Sequence, residues 1–98
     1  MPRNKRCRRI QINPEITVFK PVGVPVSKLA STTLELDELE ALRLKDSQGL
    51  NQEECADQMN ISTSTFQRVL NSAHQKVAQA LLGGNSIIIN KNITHDGI

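Results

Sequence analysis

A cluster of hydroxyl, amide and guanidinium side chains lies between residues 62 and 71. Its members can all form hydrogen bonds with phosphate oxygens or with the edges of bases: Ser62, Thr63, Ser64, Thr65, Gln67, Arg68 and Asn71. Gln67 and Asn71 can each pair bidentately with adenine, and Arg68 can pair with guanine. No acidic residue occurs between residues 62 and 82. The cluster therefore has the chemistry of a nucleic-acid contact, and the alternative is the solvated face of an ordinary helix.

A second basic cluster occupies the N-terminus: Arg3, Lys5, Arg6, Arg8 and Arg9. Residues 1–28 carry seven basic residues against one acid, whereas residues 35–57 carry eight acids against two basic residues. The net charge of +2 conceals this asymmetry, which is typical of proteins with a polyanionic partner. We expect the basic arm to lie in a minor groove or along phosphates, with a solubilising tail as the alternative.

Capping signals predict three helices that position the polar cluster. Two capping boxes have an acid three residues after the cap: Asp37 with Glu40, and Asn51 with Glu54. Ser62 caps the third helix, and Gly49 provides a left-handed end for the first. The predicted helices cover residues 37–47, 52–59 and 63–82.

The third predicted helix has a single apolar stripe with a period of 3.6 residues: Phe66, Val69, Leu70, Ala73, Val77, Ala80 and Leu81. The polar cluster therefore falls on the opposite face. A short helix, a turn at Asn60 and this longer helix make a helix-turn-helix. Asn60 suits the turn because asparagine tolerates a left-handed backbone, and Ala56 is small enough for close helix packing.

The flanking segments are predicted to be extended or short strands. Proline and glycine exclude a helix from residues 10–29, where Ile10, Ile12 and Val18–Phe19 are strand candidates. Ile87–Ile89 predicts one strand at the edge of the fold, able to pair with a second chain or with Ile10–Ile12.

The fold class is therefore mainly α: a three-helix helix-turn-helix domain with an extended basic N-terminal segment and a short C-terminal β-strand. Residues 1–29 form the arm and the extended segment, residues 34–82 the helix-turn-helix domain, and residues 83–98 the strand and tail.

Other classes of function have little support in the sequence. The possible metal ligands Cys7, Cys55, His74 and His95 lack zinc-site spacing, and no nucleophile has a base predictably beside it. We expect no catalysis, no cofactor and no metal. No apolar run approaches the ~20 residues that a membrane span needs, and no signal peptide is evident. A cytoplasmic protein without a membrane partner is expected.

Several motifs along the chain occur together in one known family. They are the basic start from Pro2 to Ile10, Phe19-Lys20-Pro21, Leu36–Leu44, Gln52-Glu53-Glu54, Ile61-Ser62 and Thr65-Phe66. The pattern continues through Arg68, Leu70, Ala73, Lys76 and Gly84. Over roughly Pro2–Ile89 the chain therefore resembles uncharacterised protein family 0251, also called domain of unknown function 134. The resemblance implies a DNA-binding protein with a helix-turn-helix similar to region 4 of sigma factors, and it implies no enzyme activity.

The chain departs from this family at positions that bear on DNA binding. Asn60 replaces the usual glycine, Thr63 replaces a frequent arginine, and His74 and Gln75 replace basic residues. Fewer phosphate contacts mean weaker binding with a flatter salt dependence than in a typical member.

The sequence thus predicts a sequence-specific DNA-binding protein, a transcriptional regulator, that reads the major groove with residues 63–82. Double-stranded DNA is the expected partner, and two copies on a symmetric site would multiply the affinity of one small module. The alternative is a protein-interaction module, with RNA polymerase as one possible partner of its acidic helices, or an RNA-binding module.

Overall fold

Three helices and a small three-stranded sheet make up residues 9–91, the part of the chain that this computed structural model describes. In chain order the elements are β1 (Val18–Phe19), a 3₁₀ turn (Val26–Lys28), β2 (Ser31–Glu35), α1 (Leu36–Leu42), a π-helical turn (Arg43–Ser47), α2 (Gln52–Met59), α3 (Thr63–Gly83) and β3 (Ser86–Asn90). The fold is mainly α with a C-terminal strand, as predicted. None of the described helices is long and apolar enough to cross a membrane.

The second and third helices begin at the caps that the sequence predicts. Asn51 Oδ1 accepts the Glu54 N–H at 2.8 Å, and the Glu54 carboxylate accepts the Asn51 N–H at 3.0 Å. Ser62 Oγ accepts the Thr65 N–H at 3.1 Å. α3 ends at Gly84, whose φ of 68° lies in the left-handed region that glycine enters without steric penalty.

The start of α1 differs from the prediction, which placed the cap at Asp37 and its partner at Glu40. The N-cap is Glu35, and the Glu38 carboxylate accepts the Glu35 N–H at 2.9 Å. The physical reason is that β2 ends at Glu35 and the chain passes directly into the helix. Both registers place acids three residues apart, so the local sequence does not choose between them.

The first helix ends at Ser47 as predicted, but its last five residues form a π-helical turn. The Gln48 N–H donates to the Arg43 carbonyl at 2.9 Å, one residue further back than in an α-helix. Gly49 follows with a φ of 76°, which confirms the predicted left-handed position. Leu44, inside this turn, is fully buried.

The strand β3 lies in the middle of the sheet, in the order β1–β3–β2. It is antiparallel to β1 and parallel to β2, where Leu34 lies opposite Ile89. The predicted edge position of Ile87–Ile89 is therefore wrong, and so is its pairing with Ile10–Ile12. Both hydrogen-bonding sides of β3 have partners within the chain, so β3 itself offers no edge to a second copy.

The strand β2 was not predicted from the sequence. Its residues are mostly polar, and they pair with a strand that follows all three helices in the chain. Of the predicted strand candidates, Val18–Phe19 forms β1, while Ile10 and Ile12 lie outside the strands.

Two apolar clusters hold α3 in place. The first connects α1, the π-helical turn, α2 and the start of α3: Ala41, Leu44, Cys55, Ala56, Met59, Phe66 and Leu70. The second connects the sheet with α1 and the middle of α3: Leu34, Leu36, Ala73 and Ile89. The predicted stripe of α3 is wrong at Leu81, which is 74% exposed. Ala80, one residue earlier, is 1% exposed, so at this end of α3 the buried side is limited to Ala80, and Leu81, about 100° further round the helix, faces solvent.

Candidate nucleic-acid interface

A left-handed turn and one side-chain hydrogen bond fix the position of α3 relative to α2. Asn60 adopts the predicted left-handed conformation, with φ 59° and ψ 44°, and its N–H donates to the Asp57 carbonyl at 3.1 Å. Gln52 Nε2, in the first turn of α2, donates to the Thr63 carbonyl, in the first turn of α3, at 3.3 Å. The N-terminal ends of both helices therefore lie side by side, and helix amides that lack intrahelical acceptors are concentrated on one side of the domain.

The hydroxyl groups at the start of α3 bond to one another. Ser62 Oγ caps the Thr65 N–H, donates to Thr65 Oγ1 at 2.9 Å and lies 3.2 Å from Ser64 Oγ. Ser62 is therefore engaged as the helix cap, whereas the Thr63 and Ser64 side chains are exposed. Together with the positive end of the helix dipole, Thr63 and Ser64 make the start of α3 suitable for a phosphate group.

The amide side chains of Gln67 and Asn71 form a pair on the surface of α3. Gln67 Nε2 donates to Asn71 Oδ1 at 2.8 Å across one helical turn. In this pair Gln67 uses one N–H and Asn71 uses one lone pair, so each keeps hydrogen-bonding capacity. An acceptor and a donor held in this way match the N6 and N7 atoms of adenine in a major groove.

Arg68 lies at the side of α3 that faces α1. It is exposed, and its Nη2 donates to Thr65 Oγ1 at 3.4 Å. It lines a shallow groove of about 330 Å³ together with Asp37, Glu38 and other residues. Carboxylates in the same groove weaken the positive potential at Arg68, so its contribution to the attraction of a polyanion is reduced.

A buried glutamate ties α1 to α3. Glu38 is 6% exposed, and its carboxylate accepts from Ser72 Oγ at 2.5 Å and from Lys76 Nζ at 2.8 Å. Burial by itself raises the pKa of Glu38, but the hydrogen bonds from Lys76, Ser72 and the Glu35 N–H outweigh it and hold the pKa below its ordinary value.

A second buried glutamate ties α1 to the N-terminal segment. Glu40 is 1% exposed and accepts from Arg43 Nε at 2.7 Å and from the Gln11 N–H at 2.9 Å. Burial again raises its pKa, and the bonds from Arg43 and from the Gln11 and Ile12 backbone lower it further than burial raises it. Sequence reasoning counted both glutamates in an acidic surface, but neither carboxylate faces solvent.

The acidic surface that remains lies on α2. Glu53, Glu54 and Asp57 are exposed on the side of this helix that faces away from its buried residues. No acid is present on α3, so the surfaces of the two helices differ in charge. A polyanion is therefore better accommodated along α3 than along the outer side of α2.

The end of the basic arm is attached close to the turn. The Arg9 N–H donates to the Met59 carbonyl, at the last residue of α2, at 2.9 Å. Arg9 is exposed. The other predicted arm contacts, Arg3, Lys5, Arg6 and Arg8, lie outside the described residues. The structure thus brings the root of the arm beside the predicted contacts on α3.

The remaining reactive groups have structural partners. Cys55 is fully buried, and burial raises the pKa of its thiol. His74 Nε2 lies 2.6 Å from Asp46 Oδ2, so this position connects α3 to the π-helical turn. Residues 9–91 contain no group of three or more His, Cys, Asp or Glu side chains that could hold a metal ion. Cys7 and His95 lie outside this range.

Comparisons with known proteins found one family and no solved structure. A family model described as "Protein of unknown function DUF134" matches residues 1–94. A UPF0251 protein of Thermoanaerobacter sp. strain X514 is 56% identical over 87 residues, which are 89% of this chain and 77% of that protein. A UPF0251 protein of Moorella thermoacetica is 48% identical over 95 residues, which are 97% of this chain and 64% of that protein. No solved structure matches.

Proposed function

The chain belongs to the UPF0251 family, whose description names no function, and we therefore propose a function from the surface of α3: sequence-specific binding of double-stranded DNA. The observation that carries the proposal is the contact between Gln52 and Thr63. It fixes the start of α3 against α2 and leaves an acid-free polar face on the outer side of α3.

In the proposed complex α3 enters the major groove and α2 supports it. The groove is about 12 Å wide and admits one helix. Thr63 and Ser64 hold a phosphate at the helix start, where the first amides also donate. Gln67 and Asn71 read adenine, and Arg68 contacts guanine or a neighbouring phosphate.

We further propose that DNA binding serves transcriptional regulation in the cytoplasm and that the protein performs no catalysis. A module of this size makes few base contacts, so we propose that two copies bind a two-fold symmetric site. A symmetric selected sequence, together with a dimer in sedimentation, would support this arrangement.

A second candidate function is protein binding through the outer side of α2. The exposed acids Glu53, Glu54 and Asp57 favour it, since a basic partner surface would complement them. RNA polymerase is one partner of this kind to test. This function requires no contact between α3 and nucleic acid. It therefore predicts that substitutions on α3 leave the affinity for the protein partner unchanged.

The test compares two charge reversals in fluorescence anisotropy with a labelled 30-base-pair duplex of mixed sequence. Arg68→Glu changes a residue in the second turn of α3. Lys28→Glu is the matched control, because it changes the same charge on an exposed side chain. Lys28 lies in the 3₁₀ turn two residues from Ala30, which bonds Ser86 beyond the far end of α3. The part of α3 from Arg68 to its end at Gly83 spans about 22 Å and separates the two sites.

We expect Arg68→Glu to weaken binding roughly tenfold to a hundredfold and Lys28→Glu to weaken it less than threefold. Equal effects of both variants would indicate attraction by net charge alone and would contradict the proposed role of α3. Absence of binding by the wild-type protein at 50 mM salt would reject DNA binding and favour the protein-binding alternative.

A further inference from the structure

The last residue of the basic arm and the residues after it are fixed to the helical domain at two points. The Arg9 N–H donates to the Met59 carbonyl at 2.9 Å, and the Gln11 N–H donates to Glu40 Oε2 at 2.9 Å. A third contact strengthens the second point, because Arg43 Nη2 reaches both Glu40 Oε2, at 2.9 Å, and Gln11 Oε1, at 3.3 Å. Residues 9–12 therefore form a strap across α1 and the end of α2.

The Glu40 carboxylate, on α1, is the group to which this strap binds. It is 1% exposed and takes hydrogen bonds from the guanidinium of Arg43 and from the backbone of Gln11 and Ile12. A carboxylate in this environment is stable only while its donors remain in place, because an unpaired buried charge is strongly unfavourable. Ile10, between the two anchoring points, packs against the second apolar cluster, which connects the sheet with α1 and α3.

The strap determines where the arm leaves the domain. Met59 precedes Ser62, the cap of α3, by three residues, so the two lie at most about 11 Å apart. Arg9 is bonded to Met59, and the arm therefore starts within roughly 15 Å of the start of α3. A chain of eight further residues reaches at most about 28 Å, which is more than half a turn of duplex, about 17 Å, and less than one full turn, about 34 Å.

We propose that Glu40 is a positioning residue for DNA binding: by holding residues 9–12 on α1, it fixes the root of the basic arm beside α3, so that arm and helix contact one stretch of duplex. The inference rests on the proposed function and adds to it a residue that touches no DNA. Glu40 acts through the arm, whose four cations, Arg3, Lys5, Arg6 and Arg8, make the contacts.

The test measures how the affinity for the mixed-sequence duplex depends on salt. Each phosphate contact contributes about 0.9 to the slope of log affinity against log salt, so four arm contacts contribute about 3.6. Glu40→Gln removes the buried charge and keeps the shape of the side chain. Glu38→Gln is the matched control, since Glu38 is also a buried α1 carboxylate but bonds to α3 and not to the strap.

Two further variants of the same chain make the result independent of the stability of Glu40→Gln. Gln11→Pro removes the N–H that reaches Glu40 and leaves the pair between Glu40 and Arg43 intact. The second variant replaces all four arm cations with glutamine and reports the full contribution of the arm. Circular dichroism establishes that each variant is folded before its affinity is measured.

We expect Glu40→Gln and Gln11→Pro each to lower the slope by about 2 to 3.6 and to leave the effect of Arg68→Glu unchanged. Neither should lower the slope further when the arm is neutral. Glu38→Gln should keep the wild-type slope. A wild-type slope in both strap variants, with a reduced slope in the neutral-arm variant, would overturn the role of Glu40 and leave the proposed function standing. A wild-type slope in the neutral-arm variant would also overturn the role of Glu40. Only a wild-type protein that does not bind would reject the proposed function itself.

Discussion

The pair between Glu38 and Lys76 provides a quantitative test of how α1 is held against α3. Lys76→Met removes the ammonium group that lies 2.8 Å from the Glu38 carboxylate, while Ser72 and the Glu35 N–H remain as donors. The side chain of Glu38 is 8% exposed and that of Lys76 is 31% exposed. The variant therefore leaves a buried carboxylate without its cation, next to a position that water can partly fill.

The expected loss follows from these exposures. Removing one partner of a fully buried ion pair costs about 3–5 kcal/mol, and access of water at Lys76 reduces this to about 1.5–3 kcal/mol. The loss is a large part of the roughly 5–15 kcal/mol that stabilises a domain. In a chain of this size it lowers Tm by about 6–24 °C.

Urea unfolding followed by circular dichroism at pH 7 measures the loss as a shift of the midpoint at constant slope. The double variant Glu38→Gln with Lys76→Met removes both charges and keeps an acceptor for Ser72, so we expect it to be more stable than Lys76→Met alone. At a pH where Glu38 is protonated, the deficit of Lys76→Met should disappear. A loss below about 0.5 kcal/mol at pH 7, the range of a surface pair, would refute the reasoning.

Three further outcomes follow from the structure. Because the pKa values of Glu38 and Glu40 are lowered in the folded state, their stabilising contribution is complete above the ordinary glutamate value of 4.5 and is lost as the pH falls through the folded-state values; urea midpoints that stay constant down to pH 3 would contradict this. Asn60→Gly should keep or slightly raise stability, and Asn60→Ala should lower it by about 1–2 kcal/mol, because the left-handed backbone strains alanine; equal midpoints would show that the turn is not strained. Cys55 should resist iodoacetamide at pH 8 until the protein unfolds, since its thiol is buried and its pKa is raised; modification of this residue in the native protein, located by mass spectrometry, would contradict its burial.

Local signals in the sequence were sufficient for most of the helical part. The cap and acid at Asn51 and Glu54, and the cap at Ser62, act over three residues and are visible without tertiary information. The left-handed turns at Gly49 and Asn60 follow from residue type in the same way. The starts of α2 and α3 and both left-handed turns were therefore predicted at their correct positions.

The elements that depend on distant partners were not predictable in this way. β2 is polar and becomes a strand because β3 pairs with it after the whole helical region. The burial of Glu38 depends on Lys76, 38 residues further along the chain, so its carboxylate looked like a surface charge. The register of α1 depends on where β2 ends, which two equally spaced acid pairs do not reveal.

The predicted DNA contacts illustrate the same division. The polar face of α3 follows from its helical period, and the structure confirms that Thr63, Ser64, Arg68 and Asn71 are exposed there. The side-chain contacts that join Ser64 to Ser62, Asn71 to Gln67 and Arg68 to Thr65 needed coordinates. The attachment of Arg9 to Met59 had no sequence signal, since it joins two segments 50 residues apart.

Selection of preferred duplexes from a random pool, carried out in parallel with wild-type protein and Gln67→Ala, tests most directly whether α3 reads bases. We expect the wild-type protein to enrich a motif containing adenine. Gln67→Ala should lose the preference at one or two adjacent base pairs while its salt dependence stays unchanged, because the contact proposed for Gln67 is with bases and not with phosphates. Base recognition by α3 would be contradicted if Gln67→Ala enriched the same motif as the wild-type protein, or if the wild-type protein enriched no motif.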